Sequence, residues 1–174
     1  ASTYAGLLND QSYGVIRAAS SALGQTKSPI AYDALVKLFD QQSWHDTVKA
    51  SALAGLAALG DKRALDFALK YSDKSNFTSL RASAIRAVGL LGKDDARSFA
   101  LLSDSLESAF HRGDLSLIVA GSEALTNLGD PRAIELFDRL AKEPDANPNY
   151  VGVLVGYQDR LRKATAGETK PANP

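Results

Sequence analysis

A basic residue recurs every 32 positions in the first half of the chain, each time in the same five-residue setting. Ile16-Arg17-Ala18-Ala19-Ser20, Val48-Lys49-Ala50-Ser51-Ala52 and Leu80-Arg81-Ala82-Ser83-Ala84 align without a gap. A looser copy, Leu117-Ile118-Val119-Ala120-Gly121, begins 37 residues after Leu80. A period of 32 to 37 residues is the length of one helical hairpin, a unit too small to bury its apolar face alone. Such units must stack on one another. The 28 Ala and 24 Leu among 174 residues favour helix, and no long alternating Val/Ile/Thr run points to a sheet. The fold class expected is therefore all-α.

The ends of the segments repeat as well. Leu59-Gly60-Asp61-Lys62-Arg63-Ala64, Leu91-Gly92-Lys93-Asp94-Asp95-Ala96-Arg97 and Leu128-Gly129-Asp130-Pro131-Arg132-Ala133 share one pattern, with Leu23-Gly24 and Ser28-Pro29 as a looser version. Glycine closes a helix in the left-handed conformation. Asp61, Asp95, Asp130 or Ser28 then caps the next helix by accepting from its free N–H groups. Pro29 and Pro131 suit a first helical turn, where the missing N–H costs nothing. Each motif reads as a tight corner between antiparallel helices. A second corner precedes each basic residue and carries one aromatic: Tyr13, Trp44 and Phe77, with Tyr150 as a further copy. That spacing predicts a hydrophobic staple, the ring packing on the first turn.

Helices are expected at 1–8, 13–24, 29–41, 45–60, 62–72, 78–91, 95–111, 115–128, 131–142 and 149–165, giving five pairs. Residues 1–165 form one domain, and the polar, proline-containing residues 166–174 are expected to be a disordered tail. The chain lacks methionine and opens on Ala1, and Tyr4, Ala5, Leu7 and Leu8 have no preceding repeat to pack on. A cut from a longer polypeptide, with an apolar patch at that end, is the expectation.

Charge and composition remove many chemistries. Lys+Arg and Asp+Glu are both 20, so a strongly basic nucleic-acid binder is not expected. The absence of cysteine excludes disulfides, thiolate metal sites and a cysteine nucleophile. Only His45 and His111 are available as imidazole ligands, and no segment has the uninterrupted apolar length of a membrane span.

Pairs of the form D-x-R-A-x-x-x-L, a polar corner, then V/I/L-[RK]-A-x-A and a terminal L-G, resemble the HEAT-like repeats first named in phycobilin lyases. The resemblance runs from Leu7 to about Lys163 and implies a right-handed α-solenoid of about five HEAT-like helical pairs. It also implies that 13–24, 45–60, 78–91, 115–128 and 149–165 line the inner face. The run Ser43 to Leu65, with Ser43-Trp44-His45-Asp46 at its entry and Gly55-Leu56-Ala57-Ala58-Leu59-Gly60-Asp61 at its exit, is similar to the C-terminal HEAT-like region of some bacterial zinc aminopeptidases of the aminopeptidase N type. The catalytic His-Glu-x-x-His of that family is absent, so no catalytic residue is carried over.

Five residues are candidate inner-face contacts: Arg17, Trp44, His45, Lys49 and Arg81. Arg17, Lys49 and Arg81 form either a strip that grips a carboxylate or phosphate, or a structural ladder to corners such as Asp10, Asp40 and Asp46. The structural reading is favoured, since Ile118 ends the series. Trp44, Tyr13, Phe77 and Tyr150 are either a stacking row or staples, and staples are favoured. His45-Asp46 lacks a nucleophile beside it. The Asp-x-Arg pairs read as caps rather than acid–base groups. Asp104, Glu107 and His111 share a helix face that either ligates a metal or is simply solvated. The small residues Ala50, Ala52, Ala54, Gly55, Ala57 and Ala58 are read as close helix packing.

The expected function is a non-catalytic scaffold or interaction domain, with the resemblance implying the C-terminal domain of a zinc aminopeptidase-like protein. A free-standing protein–protein adaptor is the alternative, and a bilin lyase or chaperone a lesser one. A HEAT-like DNA glycosylase would present a basic concave surface, and deoxyhypusine hydroxylase needs His-Glu pairs that are missing. The expected partner is the rest of a parent polypeptide or a separate protein or peptide. No cofactor, metal, nucleic acid, membrane or small-molecule substrate is expected.

Overall fold

The computed structural model describes residues 1–168, and these contain helices and no strand. The α-helices are α1 (Ser2–Gly6), α2 (Tyr13–Gln25), α3 (Ala31–Val36), α4 (Thr47–Leu59), α5 (Leu65–Tyr71), α6 (Thr78–Leu91), α7 (Ala96–Arg112), α8 (Leu115–Leu128), α9 (Arg132–Ala141) and α10 (Pro148–Glu168). Short 3-10 turns extend α1 and α3 and precede α4 and α5. All ten expected helices are present. The last runs to Glu168, three residues into the expected tail. The remainder of that tail, 169–174, lies outside the described residues.

Helices α2, α4, α6, α8 and α10 lie side by side in chain order, and α3, α5, α7 and α9 each pack on the helix that follows. This is an α-solenoid of HEAT-like pairs, with α2, α4, α6, α8 and α10 as its continuous layer. That layer is tight because its crossings are made by small residues. A Cβ on Gly55 would sit 2.6 Å from the Ser20 carbonyl oxygen. A Cβ on Gly89 would run into the Ala124 backbone, and one on Gly24 into the Gly55 carbonyl. The small residues of α4 serve helix packing as expected at Ala52 and Gly55, which are buried, whereas Ala54 faces solvent. The core runs unbroken from Leu8 to Leu161, with Leu23, Leu53, Leu56, Leu80, Ile85, Leu117 and Ile118 fully buried.

The corners follow the expected chemistry where residues are consecutive. Asp61, Asp95 and Asp130 accept the backbone N–H of Arg63, Arg97 and Arg132 at 3.0, 2.9 and 3.0 Å. Gly60 and Gly129 close their helices at φ 75°. Three expectations fail. Gly24 remains inside α2, where glycine is needed for contact with α4 rather than for a turn, and Lys27 takes the left-handed conformation instead (φ 53°). Gly92 has φ −96°, and its missing Cβ makes room for the Ser98 hydroxyl. Ser28 caps with its carbonyl, which accepts from Ala31 N at 3.0 Å, and not with its hydroxyl.

Candidate interaction surface

The N-terminal ends of α2, α4 and α6 form one edge of the solenoid. Tyr13 opens α2, Trp44–Asp46 is the 3-10 turn before α4, and Phe77 precedes α6. Three rings stack along this edge. The His45 imidazole lies 4.5 Å from the Trp44 ring and 4.6 Å from the Phe77 ring, nearly parallel to both. Trp44 is 72% exposed and Phe77 51%. The staple expectation fails for both: the rings are largely exposed and stack on the His45 imidazole, Phe77 doing so across a repeat boundary. Tyr13 is 42% exposed, and its phenolic oxygen accepts the Trp44 backbone N–H at 3.2 Å. Tyr150 departs from the row. It is half-buried, packs edge-on to Phe110 and donates to the Gly113 carbonyl at 3.0 Å.

The turn carrying these rings is held in an unusual conformation. His45 and Asp46 both have positive φ, 50° and 55°, which is costly for residues other than glycine. Surrounding bonds enforce it. The Ser43 hydroxyl oxygen accepts from Val48 N at 3.0 Å, Thr47 Oγ1 donates to the Trp44 carbonyl at 2.6 Å, and Lys49 pairs with Asp46 at 2.7 Å. Ser79 donates to the His45 carbonyl from the next repeat at 3.4 Å.

The three aligned basic residues do not form one strip. Arg17 is exposed. Lys49 is half-buried, and its hydrogen bond to the Asp46 carboxylate holds its pKa above the ordinary lysine value. This is one rung of the structural ladder expected for it. Arg81 is 8% exposed and its Nε donates to the Ser72 carbonyl at 3.4 Å, tying α6 to the end of α5. Ile118, at the fourth copy, is fully buried. The aligned position is thus exposed at Arg17, half-buried at Lys49 and buried at Arg81 and Ile118.

Each Asp-x-Arg pair is more than a cap. Arg63, Arg97 and Arg132 fold back on their own capping carboxylates through Nε and a terminal nitrogen. These bonds lower the pKa of Asp61 and Asp130, and hold that of Asp95 down at about 2. The Arg63 and Arg132 guanidinium groups then cover Tyr32 and Phe99 of the preceding repeat at 3.8 and 4.0 Å. Glu107 and His111 also bridge repeats, to Arg139 and Glu143 respectively. No group of three metal-ligating residues is present among the described residues.

Sequence reasoning missed two features. Arg86 of α6 pairs with Glu123 of α8 at 2.7 Å, joining two neighbours of the continuous layer. Phe39 stacks on Phe67 and Tyr71 at 4.6 and 5.2 Å, joining the second and third pairs. The only available signal was the spacing: Phe39 and Tyr71 are 32 residues apart, the period of the repeat.

The family model of the PBS lyase HEAT-like repeat matches residues 15–41, which span α2, the first tight corner and α3 with its 3-10 extension. No curated protein matches the chain. Together with the fold, the family match supports a HEAT-like repeat scaffold or interaction domain.

Proposed function

We propose that this chain is a non-catalytic repeat scaffold that receives a protein or peptide partner on the aromatic edge formed by Tyr13, Trp44, His45 and Phe77. The observation that carries this reading is the exposed Trp44–His45–Phe77 stack on a turn with two strained, non-glycine residues. Contiguous exposed aromatic surface marks interaction sites, and Trp and Tyr dominate binding hot spots because they bury large area at small entropic cost. Stabilising a strained turn that leaves its rings in solvent has a functional logic only if the rings meet something.

Two settings suit this surface. The resemblance of Ser43–Leu65 to the C-terminal region of aminopeptidase N-type enzymes supports an accessory domain whose edge packs on a catalytic part. A free-standing adaptor uses the same edge for a separate protein.

Selection from a random peptide library tests the proposal, with affinity read by the anisotropy of the fluorescein-labelled peptide and contact by the emission of Trp44, the single tryptophan. Selected peptides are expected to shift its emission and to lose at least about tenfold in affinity for the W44A/F77A double variant, the loss of one hot-spot residue or more. Peptides that bind the double variant and the parent equally would overturn it.

A further inference from the structure

Arg81 is buried but has no carboxylate within ion-pair distance. It makes one protein hydrogen bond, through Nε to the Ser72 carbonyl. Its terminal nitrogens donate to no protein acceptor and are not themselves buried, so they are open to a ligand. Arg81 lines a cleft of about 540 Å³ that also takes in Lys74, Asp73, Asp104, Ser105 and Ser108. The cleft lies between the C-terminal end of α5, the start of α6 and the middle of α7. Its far wall is polar. The Ser108 hydroxyl accepts from Arg112 at 2.7 Å, which leaves its own proton free to donate.

We propose that this cleft binds a carboxylate, the side chain of an acidic residue in a peptide partner, on the Arg81 guanidinium, with Ser105 and Ser108 as further donors. The planar fork of arginine matches a carboxylate through paired N–H groups. Charge selects the class. Arg81 and Lys74 share the cleft lining with Asp73 and Asp104, two cations with two carboxylates, so a singly charged carboxylate disturbs the charge balance less than a phosphate dianion does. Burial, and then the Arg112 cation, lower the pKa of Arg81, and the Asp114 and Asp73 carboxylates offset only part of this, so an added anion remains favourable there. The proposal builds on the peptide-binding reading above but uses different residues, and Trp44 is outside the cleft.

The test is NMR titration of the intact chain with the blocked peptide acetyl-Ala-Glu-Ala-amide, alongside its Gln and phosphoserine counterparts. The Arg81 Nε–H resonance is assigned by its loss in the R81K variant. The Glu peptide is expected to shift that resonance and the Ser105 and Ser108 amides saturably, and the Gln peptide to leave them in place. R81Q is expected to weaken Glu-peptide binding by about tenfold or more, the worth of a charged hydrogen bond. R81K, which keeps the charge and loses the fork, is expected to fall between. W44A is expected to bind as the parent does, which separates failure of the cleft from failure of the aromatic edge. No saturable shift at Arg81, equal binding of the Glu and Gln peptides, or tighter binding of the phosphoserine peptide would each overturn the proposal. If R81Q does not fold, the parent titration decides alone.

Discussion

The Trp44 indole and the Phe77 ring belong to successive repeats and hold the His45 imidazole between them, with centroid distances of 4.5 and 4.6 Å. The stack lies on the surface and not under it. Trp44→Ala and Phe77→Ala should therefore change unfolding free energy by no more than about 0.5 kcal/mol, as surface substitutions do. Urea denaturation followed by circular dichroism checks this, and acrylamide should quench Trp44 emission freely. A loss of about 2 kcal/mol would restore the staple reading, in which the rings are part of the core.

Gly55 marks the closest crossing of α2 and α4. A methyl group there meets the Ser20 carbonyl at 2.6 Å and the Leu35 side chain at 2.7 Å, so the two helices must move apart. Gly55→Ala should destabilise the chain by about 1–3 kcal/mol. Gly152→Ala, in α10 with nothing within 4 Å, should be neutral or stabilising by up to about 1 kcal/mol. Equal denaturation midpoints for the two variants would show that the crossing is looser than described.

Ser122 is fully buried in α8 and its hydroxyl has no hydrogen-bond partner. An unsatisfied buried hydroxyl is a cost, and alanine removes it without enlarging the side chain. Ser122→Ala should raise stability by about 1 kcal/mol, measured by urea denaturation. A decrease would mean that the hydroxyl is satisfied in solution.

The capping aspartates contribute to the acid limb of stability. Asp95 titrates at about 2 in the fold, lowered first by its hydrogen bond from the Arg97 side chain. Its unfolded value is about 3.9. A carboxylate lowered in this way stabilises the fold fully above about pH 4, and that contribution is lost as the pH falls towards about 2. Asn keeps the cap but does not titrate. The Asp61→Asn, Asp95→Asn, Asp130→Asn triple variant should therefore lose less stability than the parent between about pH 4 and pH 2. Parallel acid limbs in urea denaturation would contradict the assignment.

What could be read in the sequence was local or periodic. The Asp61-Lys62-Arg63 corner was legible because cap, carboxylate and guanidinium are neighbours in the chain. The ten helices were legible because the repeat states each one several times. Gly24 misled because a glycine at a helix end looks the same whether it serves a turn or a close crossing. Trp44 and Phe77 misled because their exposure depends on the left-handed backbone at His45 and Asp46, which no local pattern of residue types requires. The burial of Arg81 was hidden for a related reason. It depends on the tertiary surroundings of the third copy, and the aligned Arg17 remains exposed.

The most direct test of the interaction surface is site-specific photocrosslinking in the cells that make this protein. A benzoylphenylalanine replaces either Trp44, on the aromatic edge, or Ala54, exposed on α4. Position 44 is predicted to give a discrete protein adduct that disappears with Phe77→Ala, and position 54 to give none. Adducts from position 54 alone would contradict the account and place the binding surface on the faces of the helices.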